Sequence, residues 1–440
     1  MGRPNSAREH HVRSILRGAP GETYAMLRYS GHLLLMVSLY AMLFDDDEFE
    51  KEDSLVFNWN PMFWGMGPER FTYNTKSLQD AIMTEMERNK YVGVCCEPNM
   101  VFVVCNQFPI IAMHYNDIRH GTTVADELLP KYVAAWEKKG MVGSGSLYPD
   151  AWLEQQDVTM AAKDPAFTAW ANAWMHAWRS DFVVPLYEKQ SLGYITNFDG
   201  EIQLNPHELG NIFREMVGTE GAAADNKDTY REAIRRTKDL PKKAKMVPYT
   251  KPTFGVIAQW LSELGRSELD GLLKYADEHL QPTWEKGGLY YERNDEPYDE
   301  DLRWTHMDPF SGNGCIGYAR LNVAGGQKKM WEAPWTAATL QKRPWVDGVD
   351  LGQGVDFVRA IFDEEAKLVL LTVRSWDGSK KSIRPVVKNL PAGTYLVKVG
   401  AEEARREKLG SGDELALDVE VGGEEVDVVV RLRHSLDMMS

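Results

Sequence analysis

The sequence predicts a mainly α protein, an α/α barrel, followed by a C-terminal antiparallel β-sandwich. Up to about residue 330, helices apolar almost all round ("HLLLMVSLYAMLF", "NMVFVVCNQFPIIAM") alternate with amphipathic ones ("LSELGRSELDGLLKYADEHL"). Two concentric helical layers require that alternation. Near residue 335 the pattern changes: "KLVLLTVRSW", "GTYLVKVG" and "EVDVVVRLR" are short strands separated by DG, PAG and GSGD turns. We therefore expect a catalytic barrel over residues 1–332 and a supporting sandwich over 333–440.

The elements follow in order. The run from Met26 to Phe44 nears the length of a membrane span. It carries Arg28, Ser30 and His32 and runs into the acidic Asp45 to Glu48, which suits a buried helix better. "SLQDAIMTEMERNKYVG" reads as a helix with a Ser77 N-cap and a glycine stop, and "TTVADELLPKYVAAWEKKG" repeats that logic. Further helices are expected near 165–186, 205–217, 226–237, 252–265 and 267–280. Long aromatic loops such as "NWNPMFWGMGPERF" and "GGLYYERNDEPYDED" would build the barrel mouth.

Composition narrows the function. A net charge of -15 over 440 residues argues against nucleic-acid binding and against docking on anionic membrane. The 4 cysteines make neither a disulfide framework nor two CxxC pairs for zinc. The N-terminal stretch has no apolar leader core, so the expected location is the cytosol, with reduced thiols.

Three of those cysteines, Cys95, Cys96 and Cys105, fall in "GVCCEPNMVFVVCN". Pro98 suits a first helical position and Glu97 the positive helix end. That places Cys96 in the turn before a helix, where the dipole favours a thiolate, and Cys105 about two turns inside. Pro109 is expected to kink this helix and Gly121 to end it. Packing is the ordinary fate of a buried cysteine, and Cys95, beside Cys96, is read that way.

Other constellations have plainer readings. His114, Asp117 and His120 drift too far round a helix to hold a metal well, and His120 suits the helix C-terminus. Trp170, Trp174 and Trp178 form a stripe that reads as core or as a ligand wall. "FDDDEFEKED" reads as a solvated surface turn. In "SGNGCIGYA", Gly314 and Gly317 suit close helix packing, not a nucleotide site.

Three local patterns together resemble one family. "YSGH" (Tyr29 to His32) sits on an apolar helix, "CEPNMVFVVCN" sets Cys96 and Cys105 nine residues apart, and "YNDIRHGT" (Tyr115 to Thr122) ends the helix that this cysteine segment enters. From about residue 24 to 125, and more weakly to about 325, the chain resembles the linalool dehydratase/isomerase family. The resemblance implies an (α/α)6 barrel and acid–base chemistry without a cofactor. That chemistry adds or removes water at an allylic terpenoid alcohol and can move its hydroxyl. It further implies a homo-oligomer acting on a small hydrophobic isoprenoid alcohol. Cys96 and Cys105 are implied as the paired catalytic thiols, and His32 as a catalytic residue of the same pocket. Tyr29, Glu97, Asn106, Tyr115, Trp174 and Glu292 are the candidate substrate-binding residues.

The chain departs from the family in two places. An acidic residue and a tyrosine from helices ahead of "YSGH" have no match in the 28 residues before Tyr29. Three alternatives stay open: the groups are absent, the sequence is short of them, or another residue such as Asp117 or Glu292 takes their place. Arg28 stands where the pattern is apolar, which favours a larger isoprenoid or a meroterpenoid over linalool. Two other classes stay open: a carbohydrate-active barrel hydrolase or lyase with Asp117 and Glu292 as its carboxylates, and a catalytically silent scaffold.

Overall fold

The computed structural model describes residues 27–59, 68–97, 99–241, 253–285, 288–294, 296–308 and 312–433. The chain divides into two compact units, residues 1–334 and 335–440. Among the described residues, the first unit carries helices α1 (Leu27–Phe44), α2 (Thr75–Arg88), α3 (Gln107–His120), α4 (Val124–Lys139), α5 (Ala166–Met175) and α6 (Ser180–Ser191). It continues with α7 (His207–Thr219), α8 (Lys227–Lys238), α9 (Thr253–Leu264), α10 (Glu268–His279), α11 (Gly312–Leu321) and α12 (Gly326–Glu332). None of the helices among the described residues is long and apolar enough to cross a membrane.

Helix and strand are more evenly mixed than the mainly α expectation. Between the helices lie antiparallel pairs that local sequence did not announce, including Leu55–Trp59 with Glu69–Tyr73 and Ile195–Phe198 with Glu201–Leu204. In the second unit, a five-stranded antiparallel sheet runs in the order Val355–Asp363, Leu368–Ser375, Val426–Leu432, Gly393–Val399, Arg405–Leu409. A three-stranded sheet of Trp345–Asp347, Val386–Lys388 and Leu415–Ala416 shares its apolar core. Val387 and Leu415 join one buried cluster with Val369, Leu371 and Val373, which fall at alternate positions of a single strand and so share one face.

Within the first unit, α9 is buried from Thr253 through Glu263 and packs against α5, α10 and α11. Its crossing with α11 is close because both helices carry a glycine there. A Cβ on Gly255 would lie 2.6 Å from Gly312 Cα. The close approach is therefore at Gly255 and Gly312, while Gly314 and Gly317 face open space. Helix α2 starts at Asn74, whose side chain accepts from the Ser77 N–H while Ser77 Oγ accepts from the Asn74 N–H. Ser77 is thus the reciprocal partner of a capping box and not the N-cap itself.

Asp308 sits at the first turn of α9, where Oδ2 accepts from the Phe254 N–H at 2.8 Å. Its carboxyl is fully buried, and burial pushes its pKa up to about 7. The folded chain therefore keeps a proton that the unfolded chain loses near pH 4. Stability contributed here is full below about pH 4, falls as pH rises towards about 7, and is level above it. Asp308→Asn retains an acceptor for Phe254 and is expected to flatten that slope in denaturant titrations across this range. An unchanged slope would show that Asp308 is ionised throughout.

Candidate active site

The thiol segment folds differently from its local pattern. Instead of entering a helix at Pro98, which lies outside the described residues, the chain makes a tight turn. Cys96 N–H donates to Met100 O and Met100 N–H to Glu97 O, both at 3.0 Å. Met100–Val101 then pairs antiparallel with Ala151–Leu153. A 3-10 turn, Val104–Asn106, leads into α3. Cys96 lies in a turn as expected, but that turn opens onto a strand. It is Cys105 that lies at the N-terminal end of the helical segment, not two turns inside it. Pro109 falls in the first turn of α3, where a missing N–H costs nothing, so it does not mark a kink. Gly121 ends the helix with φ 67°, a left-handed cap suited to glycine.

This fold brings Cys96 and Cys105 together. Their Sγ atoms are 3.0 Å apart, both are buried, and neither is in a disulfide. Asn106 holds the turn in place: Oδ1 accepts from Val94 N–H at 2.8 Å, and Nδ2 donates to Val94 O at 3.2 Å and Phe102 O at 2.9 Å. Its amide is spent on backbone, which makes it a positioning residue and corrects its reading as a substrate ligand. Cys95 turns away, with Sγ 3.4 Å from Glu154 Oε2. Burial, then the Glu154 charge, pushes its thiol pKa well up, which favours the protonated form.

An aromatic wall adjoins the pair. The His32 ring lies 4.0 Å from that of Phe108, between centroids, and Phe108 meets Trp174 at 5.1 Å and Trp170 at 6.3 Å. Helix α1 also packs on the 3-10 turn that holds Cys105. The side chain of Tyr29 lies outside the described residues, and Glu97 is half-buried in the turn beside Cys96. Trp178 lies beyond the end of α5, where Nε1 donates to Gln107 Oε1 at 3.0 Å. The tryptophan stripe is therefore two residues long.

A second polar group forms where the end of α9 meets the residue after α5 and the start of α12. Glu263 is fully buried on α9 and accepts from Gln327 N–H at 3.0 Å, Asn322 Nδ2 at 3.2 Å and Lys328 N–H at 3.4 Å. His176 Nδ1 lies 2.8 Å from Glu263 Oε1. Tyr318 Oη accepts from Gln327 Nε2 at 3.0 Å. Sequence reading missed Glu263, His176 and Tyr318. The signal was a polar pair, Gln259 and Glu263, one turn apart in the otherwise apolar "TFGVIAQWLSEL".

The two carboxylates of the carbohydrate reading sit in different settings. Asp117 Oδ1 and Oδ2 accept from Val124 N–H at 3.0 Å and Ala125 N–H at 2.7 Å, capping α4. Asp117→Ala is expected to cost about 1–3 kcal/mol in chemical denaturation through those unpaired donors. A loss below about 0.5 kcal/mol would contradict the cap. Glu292 is exposed and lines a surface hollow of about 550 Å³ with Tyr290, Tyr291, Arg293 and Asn313. Its exposure contrasts with the burial of the thiols with which it was grouped. His114 is likewise occupied, stacked on Trp331 and 2.8 Å from its carbonyl oxygen. No group of three metal-binding side chains forms among the described residues. The acidic turn is tied down by Arg119, which reaches Asp45 and Glu50, each at 3.0 Å.

The family model for linalool dehydratase/isomerase matches residues 26–297. No curated protein matches the chain.

Proposed function

Since the chain belongs to the linalool dehydratase/isomerase family, we propose that it dehydrates or isomerises a terpenoid or meroterpenoid allylic alcohol, with Cys96 and Cys105 as its acid and base. The observation that carries this reading is the pair of buried thiols 3.0 Å apart beside an aromatic wall. A neutral thiol is cheap to bury, unlike a carboxylate, and an apolar pocket keeps water from intercepting a cationic intermediate.

In this reading one thiol gives its proton to the hydroxyl oxygen, the C–O bond breaks, and water leaves. The allylic cation then loses a proton from the neighbouring carbon to the thiolate, so the diene forms and both thiols are restored. Return of water to the far end of the allylic system, with one of its protons lost to the thiolate, gives the isomerised alcohol instead. The short gap lets either sulfur hand the proton to the other. His32 and Trp174 line the pocket and Asn106 fixes the turn that presents Cys96. We further propose that the helices close as an (α/α)6 barrel, that the strands after residue 335 form a supporting β-sandwich, and that the protein works as a cytoplasmic homo-oligomer.

The test offers the enzyme a panel of prenyl allylic alcohols in deuterated water and follows products by mass spectrometry. A diene or a transposed alcohol is expected, with deuterium on carbon only where the diene is protonated again in the reverse direction. No turnover of any allylic alcohol, with release of sugars from a polysaccharide panel, would overturn the reading.

A further inference from the structure

Phe108 and Tyr115 are seven residues apart and share one face of α3, and Cys105 lies in the 3-10 turn just before that helix. At a rise of 1.5 Å per residue, Tyr115 lies roughly 15 Å along the axis from Cys105. Its hydroxyl is buried and has no hydrogen-bond partner among the described residues. Trp174 Nε1, from the wall beside Phe108, is buried without a partner as well. Tyr318 borders this face: the Trp174 ring is 6.1 Å from it, and its phenol, after burial, helps push up the pKa of Tyr115. Burial and the nearby Glu263 charge push both phenols well up, so each keeps its proton. Tyr318 already accepts from Gln327, so its proton is available to donate.

Two buried donors without an acceptor, Tyr115 Oη and Trp174 Nε1, thus neighbour the Tyr318 phenol, while Glu263 is already supplied with donors of its own. A buried donor without an acceptor costs about 1–3 kcal/mol, and such a group in a native fold needs a reason. Resting on the reading of the thiol pair above, we infer that Tyr115, Tyr318 and Trp174 form a distal polar subsite that receives an acceptor oxygen of the substrate. The substrate class is then a farnesyl-length allylic alcohol with a carbonyl at the end remote from the reacting hydroxyl. Glu263 and His176 are positioning residues: through Gln327 the carboxylate fixes the Tyr318 hydroxyl.

The experiment compares kcat/KM for a farnesyl-type allylic alcohol and for the same chain with a terminal aldehyde, in the full-length wild type and in Tyr115→Phe and Tyr318→Phe. The wild type is expected to prefer the oxo-alcohol by roughly ten-fold or more, and each variant to reduce that preference towards unity, chiefly through KM. Either variant suffices if the other does not fold. A wild type without preference, or variants that slow both substrates equally, would overturn the distal subsite while leaving the thiol chemistry standing. A wild type that turns over neither alcohol would overturn the thiol reading and this inference with it.

Discussion

Replacing Cys96 or Cys105 with alanine is expected to lower turnover of the allylic alcohol at least about 100-fold, because each removes a proton-transfer partner. The double variant is expected to be little worse than either single one, since the pair acts as a unit. Stability should change by only about 1 kcal/mol, the ordinary cost of removing a small buried group. Cys95→Ala is the matched control: its thiol faces Glu154 and takes no part in the pair. Equal losses in all three variants would mean that cysteine removal acts through packing. Steady-state kinetics beside thermal unfolding separates the two cases.

Gly93→Ala is expected to be the most damaging change outside the thiols. Gly93 has φ 132°, which side chains rarely adopt, and a Cβ there would lie 2.6 Å from the Asn106 side chain. The strain and the displaced amide together should cost about 2–4 kcal/mol. Asn106 would lose its bonds to Val94, and the turn carrying Cys96 would shift, so activity should fall with stability. Denaturant unfolding within about 0.5 kcal/mol of wild type would show that Asn106 does not depend on this glycine.

The pairing of Cys96 with Cys105 could be read only as a spacing. Which of them stands at the helix start was misread, for a physical reason. Glu97 and Pro98 carry helix-start chemistry, but Met100 and Val101 pair with a strand some fifty residues away. A local pattern holds no record of such a partner, and tertiary pairing overrides propensity. Asp117 was misread in the same way, because its partners are the first amides of the next helix. Glu263 and His176 meet across 87 residues. By contrast, the glycine stop at Gly121 and the alternating strands after residue 335 depend on neighbours alone, and both were visible in the sequence.

The role of the thiol pair is tested most directly by alkylation with iodoacetamide, read residue by residue by mass spectrometry alongside residual turnover. Loss of turnover in step with modification of Cys96 or Cys105, slowed by a bound prenyl alcohol, is the predicted result. Full turnover with both sulfurs alkylated would contradict it.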